Sequence, residues 1–180
     1  IKNLSLGQGI IINNVDKLVM ILETANALKD LHEDDKFHDN FCDANVYISS
    51  SLDAYIGSFC HSKNDSCTVS RDDLYFKSPE KVMKKSKDSK LNDIYSFGIY
   101  MYEMVTETIV ATLINEQIKP EHWASKIYDY LFSEKQNKYF DASYVDFCGN
   151  SMYEFKEIIE KCIKAKPSER YQEMKDIIDD

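Results

Sequence analysis

Apolar residues recur along this chain at intervals of three and four, except in one stretch where they fill nearly every position. From Asn92 to Thr106 the sequence reads Asn-Asp-Ile-Tyr-Ser-Phe-Gly-Ile-Tyr-Met-Tyr-Glu-Met-Val-Thr. Only Asn92, Asp93 and Glu103 would strongly resist burial there. A surface helix carries one apolar stripe, whereas this segment is apolar almost all the way round. The pattern predicts a helix at the centre of an all-helical body, its first amides capped by Asn92 or Asp93.

The flanking segments read as the shell. Residues 1–14 suggest a short helix and then a loop. Val15 to His32 is an amphipathic helix, with Leu18, Ile21, Leu22, Ala25 and Leu28 inward and Lys17, Glu23, Asn26 and Lys29 outward. Val46-Tyr47-Ile48 and Ala54-Tyr55-Ile56, split by a serine-rich turn, predict a small hairpin near residues 46–56. His61 to Arg71 is polar, and Ser78-Pro79-Glu80 can start a short helix because proline suits a first turn. Lys81 to Lys90 carries a run of lysines, read as a solvated face. Ile109 to Ile118 is a connection, Pro120 to Phe132 a helix, and Ser133 to Asn150 a loop-like insert. Met152, Phe155, Ile158, Ile159 and Cys162 mark another amphipathic helix, and Tyr171, Met174, Ile177 and Ile178 a final one.

Composition narrows the class. The 180 residues make one ordinary domain, 1–180, with 43% hydrophobic and 29% charged residues, as in a soluble globular protein. Only 5 Gly and 3 Pro argue against a turn-rich sandwich. A net charge of −9 disfavours nucleic acid and anionic membrane surfaces as partners. The apolar run Ile109 to Ile114 contains Thr112 and is far too short to span a bilayer. Five cysteines, odd in number and without a Cys-x-x-Cys pair, suggest a reducing, cytoplasmic setting. His38, Cys42, Cys60, His61 and Cys67 match no common zinc spacing, and Gly7 and Gly9 do not make a phosphate loop.

Several short motifs then fall in one order. Leu31-His32 precedes His38-Asp39-Asn40, and Asn45 follows Asn40 by five positions. Ser58-Phe59-Cys60 comes thirteen residues after Asn45; then come Ser78-Pro79-Glu80, Asp93-Ile-Tyr-Ser-Phe-Gly98, and Cys162 with Lys166-Pro167-Ser168-Glu169-Arg170. Over residues 15–180 this resembles the C-terminal lobe of a protein kinase, with His-Arg-Asp-x-x-x-x-Asn, Asp-Phe-Gly, Ala-Pro-Glu and Asp-Val-Trp-Ser-Phe-Gly in register. The ending is similar to that of tyrosine-kinase-like members. The resemblance implies a mainly α, kinase-like C-lobe built around helix 92–106, with the N-lobe absent or largely absent.

Set against that pattern, the chemistry is depleted. Position 40, the base in the family, is Asn, which cannot accept a proton at neutral pH. Position 42, the catalytic-loop lysine, is Cys; position 58, the magnesium-binding Asp, is Ser, a weaker oxygen ligand. Asn45 is retained, and Asp39 and Asp43 are nearby carboxylates poorly placed to substitute. Tyr47 stands where the family has a small aliphatic residue beneath the adenine. By resemblance, His38 and Phe59 would stack as core residues, Asp93 would hold the catalytic-loop backbone, and Glu80 would pair with Arg170. Ser62, Ser66, Thr68, Ser70 and Tyr75 fall where the family carries a phosphorylatable activation loop.

The expectation is a catalytically inactive pseudokinase domain, without cofactor or metal, acting through a protein partner such as a kinase or adaptor. The doubly altered motifs and the Tyr-Ser-Phe-Gly-Ile run are most similar to the mixed-lineage kinase domain-like pseudokinases, including viral homologues. That implies a decoy that sequesters a receptor-interacting kinase and blocks necroptotic signalling. Two alternatives stay open: the C-terminal half of a larger scaffold pseudokinase, or an atypical nucleotide-dependent transferase completed by a missing N-lobe.

Overall fold

The computed structural model of the chain describes residues 12–58, 73–85, 89–113, 118–133 and 152–180. Helix α1 (Asn14–Glu33) leads into a 3₁₀ turn (Asp43–Asn45) and the strands β1 (Val46–Ile48) and β2 (Ala54–Ile56). A second 3₁₀ turn (Asp73–Phe76), the short α2 (Pro79–Val82), α3 (Lys90–Thr106) and α4 (Val110–Leu113) follow. Then come α5 (Trp123–Leu131), α6 (Met152–Cys162), a 3₁₀ turn (Pro167–Glu169) and α7 (Met174–Asp179). The two strands form an antiparallel ribbon with Tyr47 opposite Tyr55, and no other sheet is present among the described residues. The fold is the mainly helical one that the periodicity and the motifs predicted.

Helix α3 is buried from Asn92 to Thr106. Helices α1 and α6 pack directly on it, and α7 closes against α1. Its apolar circumference is therefore used on every side. The expected cap is not formed, since Ser89 is the N-cap and gives no side-chain hydrogen bond. Asn92 and Asp93 lie inside the first turn, where distant donors claim their side chains. Ser78 donates through its hydroxyl to Asn92 Oδ1 at 2.9 Å. Glu103 is buried because its carboxylate accepts the Val110 amide at 2.6 Å and starts α4 within the expected connection. Pro120 to Phe132 is divided into a 3₁₀ turn (Pro120–His122) and α5.

The start of α1 is fixed locally. Asn13 accepts from the Asp16 amide at 3.0 Å, and the Asp16 carboxylate accepts from the Asn13 amide at 2.9 Å, a capping box. Two side chains expected to face outward do not. Lys17 is only 8% exposed and pairs with Glu107, which ends α3 in the left-handed conformation. The Glu23 carboxylate accepts the Ala54 amide at 2.7 Å and ties the ribbon to the helix. Leu22, expected inward, is 38% exposed beside Val15 and Val19. The expected early helix and most of the Ser133–Asn150 insert lie outside the described residues.

Where α3 meets α6, close approach requires glycine. A Cβ on Gly98 would lie 2.6 Å from Cys162 Cβ and 2.8 Å from Ile163 Cγ2. Gly98→Ala would gain about 1 kcal/mol in helix propensity. The overpacking costs about 1–3 kcal/mol and wins, because neither neighbour is the far end of a flexible chain. A lower urea midpoint at unchanged m-value is expected. An equal or higher midpoint would show that the two helices separate freely.

Candidate functional site

Three segments converge at the N-terminal end of α3: the loop after α1, the end of the ribbon, and the stretch leading into α2. Asp93, 1% exposed, organises the first of them. Its carboxylate accepts the His38 amide at 2.8 Å, the Asp39 amide at 2.8 Å and His32 Nε2 at 2.9 Å. Asp39 is left-handed, with φ of 57°. That conformation carries a cost outside glycine which the paired amides help to offset.

His38 Nε2 lies 2.9 Å from the Gly57 carbonyl oxygen, so that nitrogen carries the proton. The ring stands edge-on to Phe41, which packs against Phe97 and Tyr100. Burial holds His38 below the ordinary imidazole range, against the opposing attraction of Asp93. The backbone of this region is cross-linked. Asn45 Nδ2 donates to the Asn40 carbonyl at 2.7 Å, and the Gly57 amide donates to the Asn45 carbonyl at 3.0 Å. Asn40, Asn45 and Ser58 are thereby gathered in one place.

Neither of the altered positions presents a carboxylate. Ser58 is left-handed, φ 59°, and its hydroxyl lies 2.9 Å from the hydroxyl of Tyr47. The Tyr47 ring covers Gly57 closely: a Cβ there would come within 2.9 Å of Tyr47 Cε2. Asn40 Oδ1 accepts from the ammonium of Lys77 at 2.8 Å, and Lys77 also donates to the Asp39 carbonyl at 3.2 Å. Lys81 pairs with the Asp39 carboxylate. Cys42 is 3% exposed and buried in the core. No group of three or more His, Cys, Asp or Glu side chains placed to hold a metal ion occurs among the described residues.

A second junction lies behind the first. Arg170 forms a two-pronged pair with Glu80, at 2.7 and 2.8 Å. It also donates to the carbonyls of Leu91, Lys164 and Ala165, and lies 5.0 Å from the centre of the Tyr95 ring. Trp123 stacks on Tyr75 at 5.7 Å and donates to the Lys77 carbonyl at 3.0 Å. Ser96 donates to the Phe76 carbonyl at 2.7 Å. The stretch from Phe76 to Glu80 is thus held by α3, α5 and the segment before α7.

Of the residues singled out from sequence, Phe59, Cys60, His61, Ser62, Ser66, Cys67, Thr68 and Ser70 lie outside the described residues. Tyr75 is 5% exposed beneath Trp123, so its hydroxyl is not presented for modification in this conformation. Lys77 and Lys81 were missed as site residues. Lys81 opens the lysine-rich stretch and Lys77 stands just before it, and only long-range contacts mark either one out.

A family model described as protein kinase domain matches residues 5–179. No curated protein matches the chain.

Proposed function

The chain belongs to the protein kinase domain family, and we propose that it is a non-catalytic member that acts by binding another protein. The observation that carries this reading is the state of positions 40 and 58. Phosphoryl transfer needs a base for the incoming hydroxyl and a carboxylate to hold magnesium. Here an amide and a hydroxyl stand in those places, the hydroxyl already engaged by Tyr47. Asp39, the nearest carboxylate in sequence to position 40, is committed to Lys81. Meanwhile the contacts that shape the lobe, made by Asp93, Glu80 and Arg170, are complete. Scaffold without reactive groups supports recognition in place of turnover.

The finer form of the proposal is a decoy. The Tyr95-Ser-Phe-Gly-Ile99 run and the paired alterations resemble the mixed-lineage kinase domain-like pseudokinases. On that reading the chain sequesters a receptor-interacting kinase in the cytoplasm and interrupts necroptotic signalling.

Two measurements test the proposal. Adding nucleotide with magnesium is expected to leave the melting temperature unchanged and to produce no phosphate transfer. Affinity capture from cells with the folded chain, read by mass spectrometry, is expected to recover a protein kinase. Nucleotide-dependent stabilisation or turnover would overturn the first part. Capture of adaptors alone, with no kinase, would overturn the decoy.

A further inference from the structure

We propose that Lys77 is an internal ligand that closes the phosphoacceptor position of this lobe. The side chain at position 40 is the one to which an incoming hydroxyl delivers its proton in catalytic members. In this chain its oxygen accepts from the Lys77 ammonium at 2.8 Å. The same ammonium reaches the Asp39 carbonyl, and Lys81, four residues on, takes the Asp39 carboxylate. The backbone at Lys77 is fixed by Trp123, itself 2% exposed and stacked on Tyr75. The segment 77–81 is therefore latched to residues 39 and 40 through backbone and side chains alike.

The latch changes what a restored carboxylate would do. An aspartate at position 40 would meet an ammonium already at hydrogen-bond distance, and a charge-assisted bond is roughly twice as strong as a neutral one. The carboxylate would form an ion pair with the Lys77 ammonium in place of the neutral bond made by Asn40. The Lys77 ammonium would thus stay at position 40 whether that residue is Asn or Asp, bound more tightly to Asp. This inference concerns the acceptor position only. The functional reading fails on nucleotide binding or turnover, whereas this one fails on the behaviour of Lys77.

Lysine acylation of the folded wild-type chain, mapped by mass spectrometry, tests it without any variant. The hydrogen bonds to Asn40 and to the Asp39 carbonyl must open before Lys77 reacts, so it should be acylated at least about fivefold more slowly than the exposed Lys84. Asn40→Ala removes one acceptor and should raise the Lys77 rate by about fivefold while leaving Lys84 unchanged. Asn40→Asp should raise the melting temperature by about 2–4 °C in the wild-type background and not in Lys77→Met. Equal reactivity of Lys77 and Lys84, indifference to Asn40→Ala, or the same effect of Asn40→Asp in both backgrounds would overturn the latch.

Discussion

Asp93→Ala is expected to cost the lobe about 3–5 kcal/mol, a large part of the roughly 5–15 kcal/mol that holds a domain together. The carboxylate is buried and accepts from two backbone amides and one imidazole. Alanine would leave the three donors unpaired where water has little access, and each buried unsatisfied donor costs about 1–3 kcal/mol. Asp39 would also lose the contact that secures its left-handed backbone. Urea unfolding followed by circular dichroism should show a large fall in midpoint, or a chain that no longer folds at 37 °C. Asp93→Asn keeps the volume but turns an amide donor toward other donors, so it should sit between wild type and alanine. A loss below about 1 kcal/mol for the alanine variant would show that the loop 38–39 is held by something other than Asp93.

Arg170→Met should be of similar size, about 3–5 kcal/mol, for a different reason. The Arg170 side chain has no exposed surface, and Glu80 keeps only 13%. Removing the guanidinium leaves a nearly buried carboxylate uncompensated and frees the carbonyls of Leu91, Lys164 and Ala165. Replacing both partners by apolar residues of similar volume should recover most of the loss, since the penalty comes from the orphaned charge more than from the missing attraction. The double-mutant cycle reads this directly. Additive single and double losses would mean that Arg170 acts through its carbonyl contacts and not through Glu80.

Much of this architecture was legible in the order of residues because burial leaves a periodic trace. Helix α3 announced itself by having no polar face, and α1 and α6 by having one. The ribbon was marked by two β-favouring triplets separated by serines. Boundaries and partners were less visible wherever a long-range contact overruled a local rule. Asn92 and Asp93 have the composition of a cap, yet Ser78, His32 and the 38–39 amides claim them. Lys17 has the composition of a solvated residue, yet Glu107 lies across from its burial site. The altered positions 40, 42 and 58 could be found only by matching spaced motifs, since their departure has meaning relative to a pattern. Lys77 left no trace, because its significance is a contact across 37 positions of chain.

The way α7 closes against α1 bears on how the protein is made. Helix α1 is synthesised before α7, a partner it packs against, and α2 to α6 are made in between. Until α7 arrives, α1 lacks one wall, and its apolar flank is open to chaperones and to other unfinished copies. The interval between making α1 and making α7 is therefore a window for misassembly that equilibrium stability does not report.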